Sequence, residues 1–154
     1  MGSFTVHRVV AASAQRTWEV LTDWPRHSGT VPLTRVRALP APGGDTQGEG
    51  SGLVARTGLG RLAYDDRMTV TEWRAPTATT PGRCRLRKQG HAVSGGACFT
   101  VTALAPRRCR VVWQEQADVV GLHSLPGGPF LEAAVGRVVF ARALRLLARQ
   151  AEAA

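Results

Sequence analysis

The sequence predicts an α+β fold in which a curved antiparallel sheet of about six or seven strands wraps around one long C-terminal helix. One or two short helices follow the first strand. Three observations carry this. From Leu33 to Val119 the apolar residues recur with a period of two in short runs, separated by turns that carry Gly or Pro, the mark of antiparallel meanders. From Pro129 to about Ala151 the apolar period becomes helical. Between these two regions helical and strand patterns do not interleave, so no βαβ crossover is called for.

The elements follow in order. Phe4–Val10 alternates as a first strand. Ser13 offers a capping oxygen to a helix ending near Thr22, whose apolar stripe is Trp18, Leu21 and Trp24. Pro25 interrupts it, and Arg26–Gly29 forms a brief second helix or turn before Pro32. A strand starts after Leu33, and 40–52 is a long loop rich in Pro and Gly. Strands are predicted over Leu53–Thr57, Asp66–Trp73, Arg83–Gln89, Ala97–Leu104 and Arg108–Val119. Gly58, Gly60, Gly95 and Gly96 read as turn or bulge glycines. A loop over 121–129 leads into the final helix, with Pro129 in its first turn.

Length and composition narrow the functional classes. The 154 residues, 44% of them hydrophobic, suit a single domain over 1–154 with one core. No apolar run approaches the roughly 18 residues of a membrane span, and no leader pattern opens the chain, so a cytoplasmic protein is expected. Three cysteines, Cys84, Cys98 and Cys109, without a C-x-x-C spacing argue against a disulfide framework or zinc ribbon and read as small core residues. His7, His27, His91 and His123 are scattered, so neither metal nor cofactor is expected. The net charge is +9, and Lys88 is the only lysine among 20 basic residues. No acid falls between Glu72 and Glu115, a stretch that holds Arg83, Arg85, Arg87, Arg107, Arg108 and Arg110.

Strand alternation sorts these residues by face. Arg83, Arg85 and Arg87 share an outer face with Arg67, Thr69, Thr71, Cys98, Arg110, Gln114 and Gln116. The inner face takes Met68, Val70, Leu86, Phe99, Val101, Cys109, Val111 and Trp113, and with them three charges: Glu72, Lys88 and Glu115. Charges there need partners or water. Either they sit at wet strand ends or they line the polar end of a cavity left where a curved sheet grips one helix imperfectly. On the final helix Val135, Val139, Phe140, Ala143, Leu146 and Leu147 form the apolar face, and Gly136 and Ala143 allow close approach. Arg142, Arg145 and Arg149 lie opposite, as a solvated stripe.

The segments V-H-R-V-V-A-A-S-A-Q-R-T-W-E-V-L-T-D-W-P-R-H (6–27), D-R-M-T-V-T-E-W (66–73), F-T-V-T-A-L-A-P (99–106) and C-R-V-V-W-Q-E (109–115), followed by the long terminal helix, cover nearly the whole chain. In that order they resemble the START-like, Bet v 1-like helix-grip superfamily (SRPBCC), in the manner of its bacterial polyketide cyclase/dehydrase members. The resemblance implies a hydrophobic ligand held between sheet and helix. Some members are aromatase/cyclases acting on poly-β-ketone chains, others carry lipids or quinones, and one branch is associated with the ribosome.

Three functional readings follow. The first is a binding module for a small polyketide-, lipid- or quinone-like molecule. Its pocket would be lined by Val70, Leu86, Phe99, Val101, Val111, Trp113, Val135 and Val139, with Arg56, Glu72, Lys88 and Glu115 at polar ends. The second is an aromatase/cyclase or dehydratase, for which Glu72, Glu115 and Tyr64 are the candidate acid–base groups, with Arg56, His91 and His123 behind them. Tyr64 is the only tyrosine, a departure from the several polar and aromatic pocket residues that aromatase/cyclases use. The third is a protein whose basic outer face meets RNA, the ribosome or an acidic partner; no DNA partner is expected. An exposed edge strand is compatible with a homodimer.

Overall fold

A computed structural model describes residues 2–91, 93–119 and 126–153. Seven strands form one antiparallel sheet: β1 (Gly2–Val10), β2 (Thr34–Leu39), β3 (Gly52–Thr57), β4 (Tyr64–Arg74), β5 (Gly82–Gln89), β6 (Val93–Ala105) and β7 (Arg108–Val119), in the spatial order β1-β7-β6-β5-β4-β3-β2. Every hairpin from β2 to β7 joins neighbours, and β1 closes onto β7. Helix α1 (Ala14–Thr22) and a 3-10 turn (Trp24–His27) follow β1, a second 3-10 turn (Gly60–Leu62) follows β3, and α2 (Gly128–Glu152) ends the chain. The α+β architecture with a curled sheet around a long C-terminal helix is as predicted.

Local chemistry explains the helix starts. The Ser13 hydroxyl accepts the Arg16 N–H at 3.1 Å and caps α1. Pro25 takes the first turn of the 3-10 segment and redirects the chain. Three strands begin two or more residues before their predicted start: β1 at Gly2, β4 at Tyr64 and β6 at Val93. Gly95 and Gly96 therefore lie inside β6, paired with Lys88 and Arg87. Gly95 has a φ of +123°, and a Cβ there would run into the Gln116 carbonyl oxygen. Glycine lets the ladder continue where another residue would end it.

One irregularity changes the predicted face assignment. In the β4–β5 ladder Val70 pairs with Leu86, but Glu72 pairs with Arg85. The extra residue is a β-bulge, and it inverts the alternation of everything beyond it. Glu72 therefore lies on the outer face, not the inner one. Its Oε2 sits 3.5 Å from Arg83 Nε and 3.7 Å from Arg85 Nε. Trp73 turns inward instead, with its ring centroid 5.3 Å from that of Trp18 and 6.4 Å from that of Trp24.

That cluster closes one end of the molecule. Phe99 joins it at 6.0 Å from Trp18 and 6.2 Å from Trp24, and edge-on geometry adds about 0.5–1.5 kcal/mol per pair beyond area burial. The C-terminal half of α2 is buried through Ala143, Leu144, Leu147, Ala148 and Ala151. Its N-terminal half is not: Phe130, Leu131, Val135 and Val138 are exposed. Cys84 and Cys109 are buried, whereas Cys98 lies half-buried on the outer face and is not a core residue. Arg142 is anchored as well as solvated, donating to the Thr30 carbonyl at 3.0 Å.

Gly136 is where α2 meets β1. A Cβ there would overlap the Phe4 ring, which is itself packed 5.2 Å from Phe140. The overpacking cost of about 1–3 kcal/mol should exceed the helix-propensity gain of about 1 kcal/mol. Gly136→Ala is expected to lower the midpoint of chemical denaturation, and a raised midpoint would contradict this packing.

Candidate functional site

A cavity of about 440 Å³ lies between the inner face of the sheet and α2. Its walls are mostly apolar: Phe4 from β1, Val36 from β2, Leu53 and Ala55 from β3, Met68 from β4, Leu86 from β5, Ala97 and Phe99 from β6, Trp113 from β7, and Val135, Val139 and Phe140 from α2. Tyr64, Leu131 and Val135 line it while remaining 43%, 57% and 55% exposed, so the cavity opens to solvent along the N-terminal half of α2 and the start of β4. A run of rings marks the other side: Phe99 to Trp113 at 6.1 Å, Trp113 to Phe140 at 5.2 Å, and Trp113 to His27 at 5.8 Å.

At its polar end the Lys88 ammonium sits 2.8 Å from Asp66 Oδ2 and 2.8 Å from Glu115 Oε1, and all three residues are buried. Glu115 Oε2 accepts the Trp113 indole N–H at 3.0 Å. Lys88 lies on β5 and Glu115 on β7, so the lysine reaches across β6. It can do so because the intervening β6 residues are Gly95, paired with Lys88, and Ala97, paired with Glu115. The predicted inner-face charges Lys88 and Glu115 are thus partners of each other and of Asp66.

One ammonium serves two carboxylates, and the protonation equilibria follow. Burial acts against the charged form of Lys88, but Glu115 and Asp66 outweigh it and hold its pKa above the ordinary lysine value. Burial pushes the Glu115 carboxyl up; the Lys88 charge and the Lys88 and Trp113 hydrogen bonds oppose this without cancelling it, and Asp66 adds to it. Lys88 and Glu115 both lie above their ordinary values, the lysine through its two carboxylate partners and the glutamate through burial. His27, also in the wall, has its pKa lowered by burial, against the opposing pull of the Leu21 carbonyl and Asp23. Its Nε2 lies 2.8 Å from the Leu21 carbonyl oxygen, which can only accept, so Nε2 carries the proton.

Other predicted residues divide between wall, core and surface. Leu86, Lys88, Phe99, Trp113, Glu115, Val135 and Val139 line the cavity, as does Tyr64. Val70, Val101 and Val111 are buried in the core and do not line it. Arg56 is outside: it pairs across the strands with Asp65, Nη1 to Oδ1 at 2.9 Å, on the solvated face. Glu72 is outside through the bulge described above. His91 is exposed beyond β5, and His123 lies outside the described residues. Periodicity alone names neither Asp66, His27 nor Glu132 as wall residues, and it gives Trp24 to the apolar stripe of the first helix. Asp66 could have been named, since it shares the inner-face parity of Met68. His27, Trp24 and Glu132 come from a turn and a helix whose placement over the sheet no periodicity encodes.

The outer face carries the basic run. Arg83, Arg85 and Arg87 from β5, with Gln114 and Gln116 from β7, line a second, shallower groove of about 810 Å³. Glu72 neutralises part of it. Among the described residues no three metal-ligating side chains converge, and no helix is long and apolar enough to cross a membrane.

Two outcomes test this site. Lys88→Met leaves two carboxylates buried without their cation and is expected to cost about 3–5 kcal/mol in urea denaturation near neutral pH. A loss below about 1 kcal/mol would show that the triad is not buried as described. The second is a pH dependence. The folded pKa of Glu115 lies above its ordinary value of 4.5, so the native state binds the extra proton and this group's penalty fades as pH falls toward that value. Wild type is therefore expected to gain stability relative to Glu115→Gln as pH falls from neutral toward 4.5, while the Lys88 contribution stays constant below 10.5. A pH-independent difference would contradict the shift.

Residues 1–152 match the family model described as "Polyketide cyclase / dehydrase and lipid transport". No curated protein matches the chain. Among solved structures, the chain is similar to the Zhui aromatase/cyclase from Streptomyces sp. R1128, with 18% identity, a TM-score of 0.66, and 97% of this chain and 93% of that one covered. It is similar to a START superfamily protein from Mycobacterium smegmatis, with 17% identity, a TM-score of 0.71 and 99% of each chain covered. A hypothetical protein, jhp0584, from Helicobacter pylori gives 14% identity and a TM-score of 0.73, over 97% of this chain and 88% of that one. Identities this low carry the fold and no more. The family match spans nearly the whole sequence, and the chain belongs to the polyketide cyclase/dehydrase and lipid transport family.

Proposed function

We propose that this protein binds a small hydrophobic molecule in the cavity between the sheet and α2. The observation that supports this most is the mismatch between the cavity and a simple core. A packed interior closes such a space. Here about 440 Å³ remains, walled by aromatic and aliphatic side chains, with a buried charged cluster at one end and a mouth beside Leu131 and Val135. An apolar body with a few polar groups is the ligand such a lining favours. A polyketide, lipid or quinone fits that description equally well.

A second reading, acid–base chemistry of the aromatase/cyclase or dehydratase kind, draws on Glu115. Its carboxyl is buried against the cavity, with its pKa pushed upward, so it retains a proton to higher pH than an exposed glutamate. Tyr64 borders the same space, whereas Glu72 does not. In this reading Lys88 and Trp113 orient the acid and the aromatic wall holds a flexible chain. The similarity to a solved aromatase/cyclase is compatible with it.

Binding is tested by native mass spectrometry of protein isolated from its own host, with extraction of whatever co-purifies. A hydrophobic adduct is expected on wild type. It should be lost on Ala55→Phe, which places a ring in the cavity from β3, beside its cross-strand partner Asp66. An adduct that survives this variant would place the ligand elsewhere. For the chemical reading, Glu115→Gln should abolish turnover of a poly-β-ketone substrate while leaving its binding within about threefold of wild type. Unchanged turnover would remove Glu115 as the acid.

A further inference from the structure

The cavity wall holds an unequal set of polar atoms without a protein partner. Asp66 Oδ1 and both carboxylate oxygens of Glu132 are buried and accept nothing, and the only such donor in the wall, among the described residues, is the Trp24 indole N–H. Asp66 and Trp24 are 93% and 98% buried, being 7% and 2% exposed, and Glu132 is half-buried with both oxygens shielded from solvent. Three acceptors face one donor. The charges run the same way. Asp66, Glu115 and Glu132 are opposed in the wall by Lys88 alone, since His27 is held neutral. Lys88 is already committed, at 2.8 Å to each of two carboxylates, and has little left to offer a ligand anion.

From this we infer that the cavity selects apolar molecules bearing a protonated amine and rejects those bearing a carboxylate. An ammonium brings three donors and a positive charge, which match the Glu132 oxygens and Asp66 Oδ1. A carboxylate would place a further negative charge beside acids that already outnumber their cation. The aromatic rings of Phe4, Trp113 and Phe140 add faces for cation–π contact. The chain's net charge of +9 acts in the opposite sense at long range. Exposed arginines are screened over about 8–10 Å, however, while the buried carboxylates are not. Glu132 is the deciding group, because Glu115 and Asp66 Oδ2 are satisfied by Lys88.

The inference rests on the cavity being a ligand site, and one series of probes separates the two ideas. Decylamine, decanol and decanoate share one apolar chain and differ in the head. Their binding to the full chain at about pH 7 is read from tryptophan fluorescence. Decylamine is expected to bind at least about tenfold tighter than decanoate, with decanol between them. Glu132→Gln should bring the amine within about threefold of decanol. Decanoate binding as tightly as decylamine overturns the inference while the cavity reading stands, and so does a Glu132→Gln protein that keeps the full amine preference. Failure of all three probes to bind overturns the cavity reading and this inference with it. A circular dichroism melt of Glu132→Gln separates lost selectivity from lost folding.

Discussion

One helix cannot cover the inner face of a seven-stranded curled sheet, and the rest of this molecule is arranged around that shortfall. α2 is seated on β1 through Gly136 and Phe4 and buries its C-terminal half. α1 packs against β6 and β7, and the Trp24–His27 turn against β2. Trp18, Trp24, Trp73 and Phe99 fill one end by edge-on contact. The other end is left as a cavity, and its polar groups are consequences of where the apolar filling stops.

The charged triad depends on the same constraint. A lysine in a packed core would lack its partners, and two buried carboxylates would lack their cation. Lys88 tolerates burial because β6 narrows to Gly95 and Ala97 at that level, so one side chain spans a strand to reach Glu115 while keeping Asp66. Gly95 thereby does two things: its positive φ keeps the ladder unbroken, and its missing side chain clears the path. The result is a cluster whose carboxylates exceed its cations, set against apolar walls.

Much of this was legible from residue order. Alternation placed Lys88, Glu115, Leu86, Phe99 and Trp113 on the inner face, and turn residues separated the strands. The failures have specific causes. Period-two alternation puts Glu72 inward because it has no means of registering a bulge, and one inserted residue at Val70–Glu72 reverses parity and puts Trp73 in its place. Arg56 is a ligand group by residue type alone, but its cross-strand neighbour Asp65 claims it at the surface. Val70, Val101 and Val111 were assigned correctly to the interior but not to its depth, since alternation gives a face and not a distance from the cavity. His27, Trp24 and Glu132 belong to elements laid over the sheet by tertiary packing, for which a single sequence carries no register.

Entry of ligand between sheet and α2 is what every proposed role of the cavity depends on. The most direct measurement is an NMR titration with decanol, following the indole N–H resonances of Trp24 and Trp113 and the backbone amides of β5. Shifts concentrated on both indoles and on Leu86 and Lys88, with Arg83 and Arg85 unmoved, are the predicted result. Shifts confined to the outer arginines, with both indoles silent, would contradict it.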